Sequence, residues 1–106
     1  MTVHQMADIL GLTVIHREDD RELAGVYCCD LLSVAMARAT TDSAWITVIG
    51  NVNVVAVASL TDVACIVLAE GFSYDEAALT AAKGKVTLLT SDRPVYETAV
   101  AVGELL

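Results

Sequence analysis

Apolar positions along this chain recur in two rhythms: a helical one of three to four residues, and short continuous runs rich in β-branched residues. Brief polar breaks separate them. Val3, Met6, Ala7 and Leu10 fall on one helical face, with Thr2 as the capping hydroxyl and Gly11 as the stop. Residues 12–16 read as a strand, 17–22 as a solvated, almost wholly charged connection, and 23–28 as a second strand. Asp30 stands where its carboxylate would cap a second helix whose buried side carries Leu31, Leu32, Val34, Ala35 and Met36. After a polar break at 40–43, residues 45–49 form a β-branched strand closed by Gly50.

Residues 51–60 admit two readings. Their valines favour a strand, paired through a Gly50-Asn51 hairpin turn, whereas the alternation of elements favours a helix capped by Asn51 and apolar nearly all round. Residues 65–69 are again a strand. Ser73 followed by Glu76 is a capping-box pattern, opening a helix that Ala77, Ala78, Leu79, Ala81 and Ala82 carry to Gly84. Residues 86–89 predict a fifth strand and 90–93 a loop, and Pro94 suits the first turn of a last helix that runs to about Gly103.

Helical patterns interleaved with strands imply an α/β three-layer sandwich with a mainly parallel five-stranded sheet, because parallel neighbours need a crossover between them. With 106 residues and no repeat or linker, the chain reads as a single domain, 1–106. Loops at the carboxyl ends of the strands then converge on one rim, where open α/β sheets commonly bind ligands. The candidate ligand residues on that rim are Asn51, Asn53, Glu70, Gly71, Ser91 and Asp92. Their amides and hydroxyl lie beside helix N-termini that attract anions. The same residue types are also ordinary helix caps, and Glu70 and Asp92 would repel a phosphate.

Composition adds a surface to this picture. Hydrophobic residues make up 56% of the chain, and the mean hydropathy is +0.61, an apolar content above the usual range of roughly 45–50%. Gly50, Asn51 and Asn53, and further on Asp62 and Glu70, interrupt the apolar runs before any reaches the roughly 20 residues of a membrane span. The surplus therefore predicts self-association as a homodimer, through a face containing Val54, Val57 and Ala58. Fourteen acidic and six basic residues give a net charge of −8. The basic ones form no patch, which excludes nucleic acid as a partner and fits a well-solvated chain or a basic protein partner. No leader pattern opens the sequence, so the expected location is cytoplasmic.

Between residues 30 and 95 the chain resembles the DRTGG domain family. The likeness rests on Asp30-Leu31-Leu32, SAWITVIGNVNVVAVA from Ser43, ACIVLAEG from Ala64 and VTLLTSD from Val86, in the family's order and spacing. It implies a regulatory module, found alone or beside CBS domains and often at a dimer interface. The fold it implies is similar to the MurF/HPr kinase N-terminal domain, in which kinase chemistry resides elsewhere. Where much of the family has Gly-Asp-Arg, this chain has Gly50-Asn51-Val52, and Glu70-Gly71 replaces a glycine pair. Those departures tell against an anion site built on that arginine.

The chemistry itself is sparse. A phosphate loop would need the spacing GxxxxGK[ST], but Gly84-Lys85 is followed by Val86 and lacks the earlier glycine, and no GxGxxG fingerprint occurs. His4 and His16 precede the rim strands, and Glu18, Asp19 and Asp20 are flanked by Arg17 and Arg21 without a calcium-loop spacing. Cys28, Cys29 and Cys65 are odd in number and two are adjacent, which suits neither a disulfide framework nor a zinc site. No catalytic residue, metal or cofactor is expected. The leading functional reading is a non-catalytic regulatory or interaction domain that self-associates and modulates a partner protein. An adenine-nucleotide or other small-ligand sensor is the alternative, and an enzyme related to HPr kinase comes third.

Overall fold

A strand buried at every position cannot have a solvent face, so helices must cover the sheet on both sides. The runs beginning at Ser43 and Cys65 are two such strands. The computed structural model describes residues 1–106. Their order is α1 (Val3–Leu10), β1 (Thr13–His16), β2 (Gly25–Cys28), α2 (Leu32–Arg38), β3 (Ser43–Thr47), α3 (Val52–Thr61), β4 (Cys65–Leu68), α4 (Glu76–Ala82), β5 (Thr87–Thr90) and α5 (Val95–Glu104).

The five strands form one sheet in the order β1-β5-β4-β3-β2. Strands β2, β3, β4 and β5 are parallel to one another and β1 is antiparallel to β5, so the sheet is mixed and mostly parallel. The antiparallel edge has a topological reason. Running against the others, β1 delivers the chain to the end of the sheet at which β2 starts, and residues 17–24 carry it across to the opposite edge without a crossover helix.

Three successive crossovers then step one strand at a time in one direction, which puts α2, α3 and α4 on the same face. There they cover Trp45, Ile66, Leu68 and Leu88 with Ala35, Val54, Val55, Ala58, Ala78 and Ala82. The opposite face is covered by the first and last helices, where Val3, Met6, Ala7 and Val102 meet Ala44, Ile46, Cys65, Val67 and Leu89. Trp45, fully buried, donates its indole N–H to the Cys29 carbonyl at 3.0 Å. Truncating such a side chain to alanine costs about 3–5 kcal/mol. No helix is long and apolar enough to cross a membrane.

The ambiguous stretch 51–60 is helical. Asn51 Oδ1 accepts from the Asn53 N–H at 2.9 Å, and Asp62 closes the helix in a left-handed conformation at φ 61°. The need to carry the chain from β3 to a parallel β4 overrides the strand preference of its valines.

Three local expectations are corrected. Asp30 does not cap α2, because its Oδ1 accepts instead from Thr47 Oγ1 at 2.8 Å and Val48 N–H at 3.0 Å. Of the residues assigned to the buried side of α2, only Ala35 is fully buried, while Leu31, Val34 and Met36 are exposed: the helix follows the edge strand β2 and is short. Asp75 rather than Ser73 caps α4, accepting from Ala78 N–H at 2.8 Å. The charged run 17–22 is the mostly exposed connection expected, and two of its side chains tie it to the body. Arg21 pairs with Asp42 and Asp62 and donates to the Asp62 and Val63 carbonyls, and the Glu18 carboxylate accepts the Gly84 N–H at 2.8 Å.

Candidate functional site

The strand-tip rim is assembled by loops that hydrogen-bond to one another. Gly50 gives its carbonyl to the Asp75 N–H at 2.9 Å, and a Cβ at this glycine would lie 2.3 Å from the Ser73 carbonyl oxygen. Only glycine permits that approach. Beneath it the Tyr74 hydroxyl lies 2.8 Å from the Leu89 carbonyl and 3.1 Å from that of Ile66. Burial pushes the Tyr74 phenol well above its ordinary range.

The six rim residues are used as follows. Asn51 spends its side-chain oxygen as the α3 cap. Asn53 is exposed on the first turn of α3. Glu70, in a left-handed conformation at φ 62°, donates its N–H to the Arg93 carbonyl at 2.8 Å, and its Oε2 accepts from Val95 N–H, capping α5. Gly71 donates to the Ser91 carbonyl at 3.1 Å. Ser91, only 5% exposed, shares a 3.0 Å bond with Thr98 and accepts from Arg93 N–H. Asp92 is exposed.

The topology thus brings the rim loops together, but no hollow gathers all six residues. Ser91 and Asp92 line one of about 180 Å³ with Gly11, Thr13, Thr90 and Arg93, whereas Asn51, Asn53, Glu70 and Gly71 line none. Small-molecule sites usually span roughly 300–1,000 Å³. No three His, Cys, Asp or Glu side chains stand together as a metal ion would need. Cys28 is exposed, Cys29 half-buried and Cys65 buried, all three as free thiols, and burial pushes the Cys65 thiol up to about 12.

A different surface has the properties the rim lacks. Along the outside of the helical layer, α3 and α4 enclose a hollow of about 300 Å³ lined by Val52, Val55, Ala56, Ser59, Leu60, Ala81 and Lys85. Leu60 is 71% exposed and Val52 41%. No charged residue occurs between Asp42 and Asp62, so the outer side of α3 is neutral although the chain carries −8. Surface helices ordinarily place charged and polar residues there.

The residues expected to form a self-association face lie mostly inside the fold instead. Val54 is 0% and Ala58 1% exposed, both packed into their own core, and Val57 is half-buried. A helix apolar all round does not announce which side is free. The signal that would have found it is the spacing of the small and polar residues Asn53, Ala56 and Ser59, which mark one side of the helix. No protein-family model matches the chain, and a search of curated proteins finds no match to it.

Proposed function

We propose that this chain is a non-catalytic regulatory or interaction module of the DRTGG type that self-associates as a homodimer and modulates a partner protein. On this reading its fold is of the MurF/HPr kinase N-terminal-domain kind, and its place is the cytoplasm. One observation carries the reading: α3 turns toward solvent a side with Val52, Ala56 and Leu60 and no charge, beside an apolar hollow. Exposed contiguous apolar surface of this sort marks interaction sites. A second copy suits it, because two bodies of charge −8 repel least where they meet through neutral surface.

Sedimentation equilibrium tests it. The wild-type chain is expected to be dimeric at tens of micromolar, and Leu60→Asp, which places a charge in the contact, is expected to be monomeric, with an unfolding midpoint equal to that of the wild type only at dilutions where both are monomers. A wild-type chain that stays monomeric at millimolar concentration overturns the reading.

A further inference from the structure

We infer that the partner is a basic protein segment, with arginine or lysine interleaved with apolar side chains, and that it docks on the carboxyl-end rim against Phe72 and Tyr96. The proposal rests on the partner-binding half of the reading above and does not use the dimer contact. Phe72 and Tyr96 are the two aromatic side chains left outside the core, 54% and 77% exposed, whereas Trp45 and Tyr74 are buried and Tyr27 is half-buried. Both stand at one end of the body: Phe72 follows the tip of β4, and Tyr96 lies in the first turn of α5. The turn before Phe72 is fixed. Glu70 and Gly71 are both left-handed, at φ 62° and 73°, and Phe72 N–H bonds the Ala69 carbonyl at 3.2 Å. Glu70 then ties this turn to the start of α5, donating its N–H to the Arg93 carbonyl and accepting Val95 N–H at its Oε2, each at 2.8 Å. A backbone cross-linked in this way offers its exposed rings with little main-chain freedom left to lose on binding.

The charges around these rings decide what meets them. Asp30, Glu70, Asp75, Glu76, Asp92 and Glu97 all lie at strand tips or at the starts of the helices that leave them, against one cation, Arg93. The other basic residues, Arg17, Arg21, Arg38, Lys83 and Lys85, lie at the opposite end of the body, interspersed with carboxylates there. Asp30, Glu70 and Asp75 keep their charge although they accept hydrogen bonds, and Glu76, Asp92 and Glu97 are exposed. A second copy is therefore the wrong occupant at this end, since it would set one acidic rim against another. Nucleic acid and an anionic membrane surface are repelled for the same reason. A guanidinium or ammonium group suits both features at once, because the face of an aromatic ring attracts a cation and a carboxylate beside it receives the N–H groups. Leu31, 59% exposed ahead of α2, extends the apolar surface along the same end for the segment's own apolar side chains.

Amide NMR spectra of the full chain, titrated with a short peptide alternating arginine and leucine, test this. Resonances of Phe72, Asp92, Tyr96 and Glu97 are expected to move, with an affinity that falls as salt is raised, while the matching glutamate–leucine peptide moves none. Phe72→Ser combined with Tyr96→Ser is expected to weaken binding by about tenfold and to leave the rest of the spectrum as in the wild type, since both rings are exposed. An arginine–serine peptide is expected to bind more weakly than the arginine–leucine one. If it binds as tightly, or if the double variant binds as the wild type does, the attraction is unspecific and the aromatic anchors are overturned. Shifts centred on α3 and α4 or on the opposite end of the body, or no binding at all, overturn the rim as the docking surface. Sedimentation equilibrium on the same samples reads the dimer separately, so a failure here leaves self-association standing.

Discussion

The strand-tip rim and the outer side of α3 adjoin at Asn51, yet they use their side chains in opposite ways. At the rim, polar groups are abundant and mostly committed: Asp30 holds Thr47 and Val48, Glu70 caps α5, and Ser91 bonds Thr98. On α3 the outward groups are few, neutral and uncommitted, with Leu60 the most exposed of the large apolar side chains after Tyr96. Polar residues at strand tips are thus no guide to a ligand until their hydrogen bonds have been traced. A buried acceptor or donor that already has a partner is not free to bind something else without a cost of about 1–3 kcal/mol. The apolar side chains on α3 have no such commitment.

The largest way to strain this contrast is alkaline pH, because the core holds two neutral acids, Tyr74 near the rim and Cys65 at the opposite, amino end of β4. Cys65 is pushed up to about 12 by burial from an ordinary 9.0, and Tyr74 is raised for the same reason. Both protons are retained in the folded state and released sooner in the unfolded one. Stability is therefore fully present below pH 9 and lost as pH rises toward 12, by about 4 kcal/mol from the thiol alone. Denaturant titrations across this range measure the loss, and Cys65→Ala is expected to flatten it; an unchanged slope in that variant removes the thiol as its cause.

Next in size is Gly50→Ala. Its Cβ would collide with the Ser73 carbonyl oxygen, a backbone atom that can yield only if the rim loop moves. A loss of about 2–3 kcal/mol in urea unfolding is expected, and a neutral result would mean that the rim is looser than its hydrogen bonds indicate. Asp30→Ala follows at about 2 kcal/mol, since it strips the acceptor from the fully buried Thr47 hydroxyl and from Val48 N–H. Leu60→Asp stands at the other extreme. Its effect on monomer stability is expected to lie within about 0.5 kcal/mol, as for surface substitutions generally, while association is lost.

Much of the architecture was legible in the pattern of residues. The β-branched runs at 45–49 and 65–69 correspond to β3 and β4, though β3 begins two residues earlier, at Ser43. Thr2 and Gly11 bound α1 as expected, and Gln5 completes a capping box with Thr2. The single antiparallel strand was not legible, because nothing in Thr13–His16 encodes the direction of its neighbour. Caps were mislocated where two acceptors competed. Asp30 serves β3 and its loop rather than α2, and Asp75 lies closer to the first turn of α4 than Ser73 does. For α3 the helix itself was in reach, but its orientation was not. With valine at four of its ten positions, only packing decides that Val54 points inward and Val52 outward.

The contrast between the two regions is tested most directly by amide NMR spectra of the wild-type chain, recorded while it is diluted from millimolar to low micromolar concentration. Shift changes confined to the outer α3–α4 surface, at Val52, Ala56, Ser59, Leu60 and Ala81, with Glu70, Ser91 and Asp92 unmoved, are the expected result. Changes centred on the rim, or spectra that do not depend on concentration at all, would contradict it.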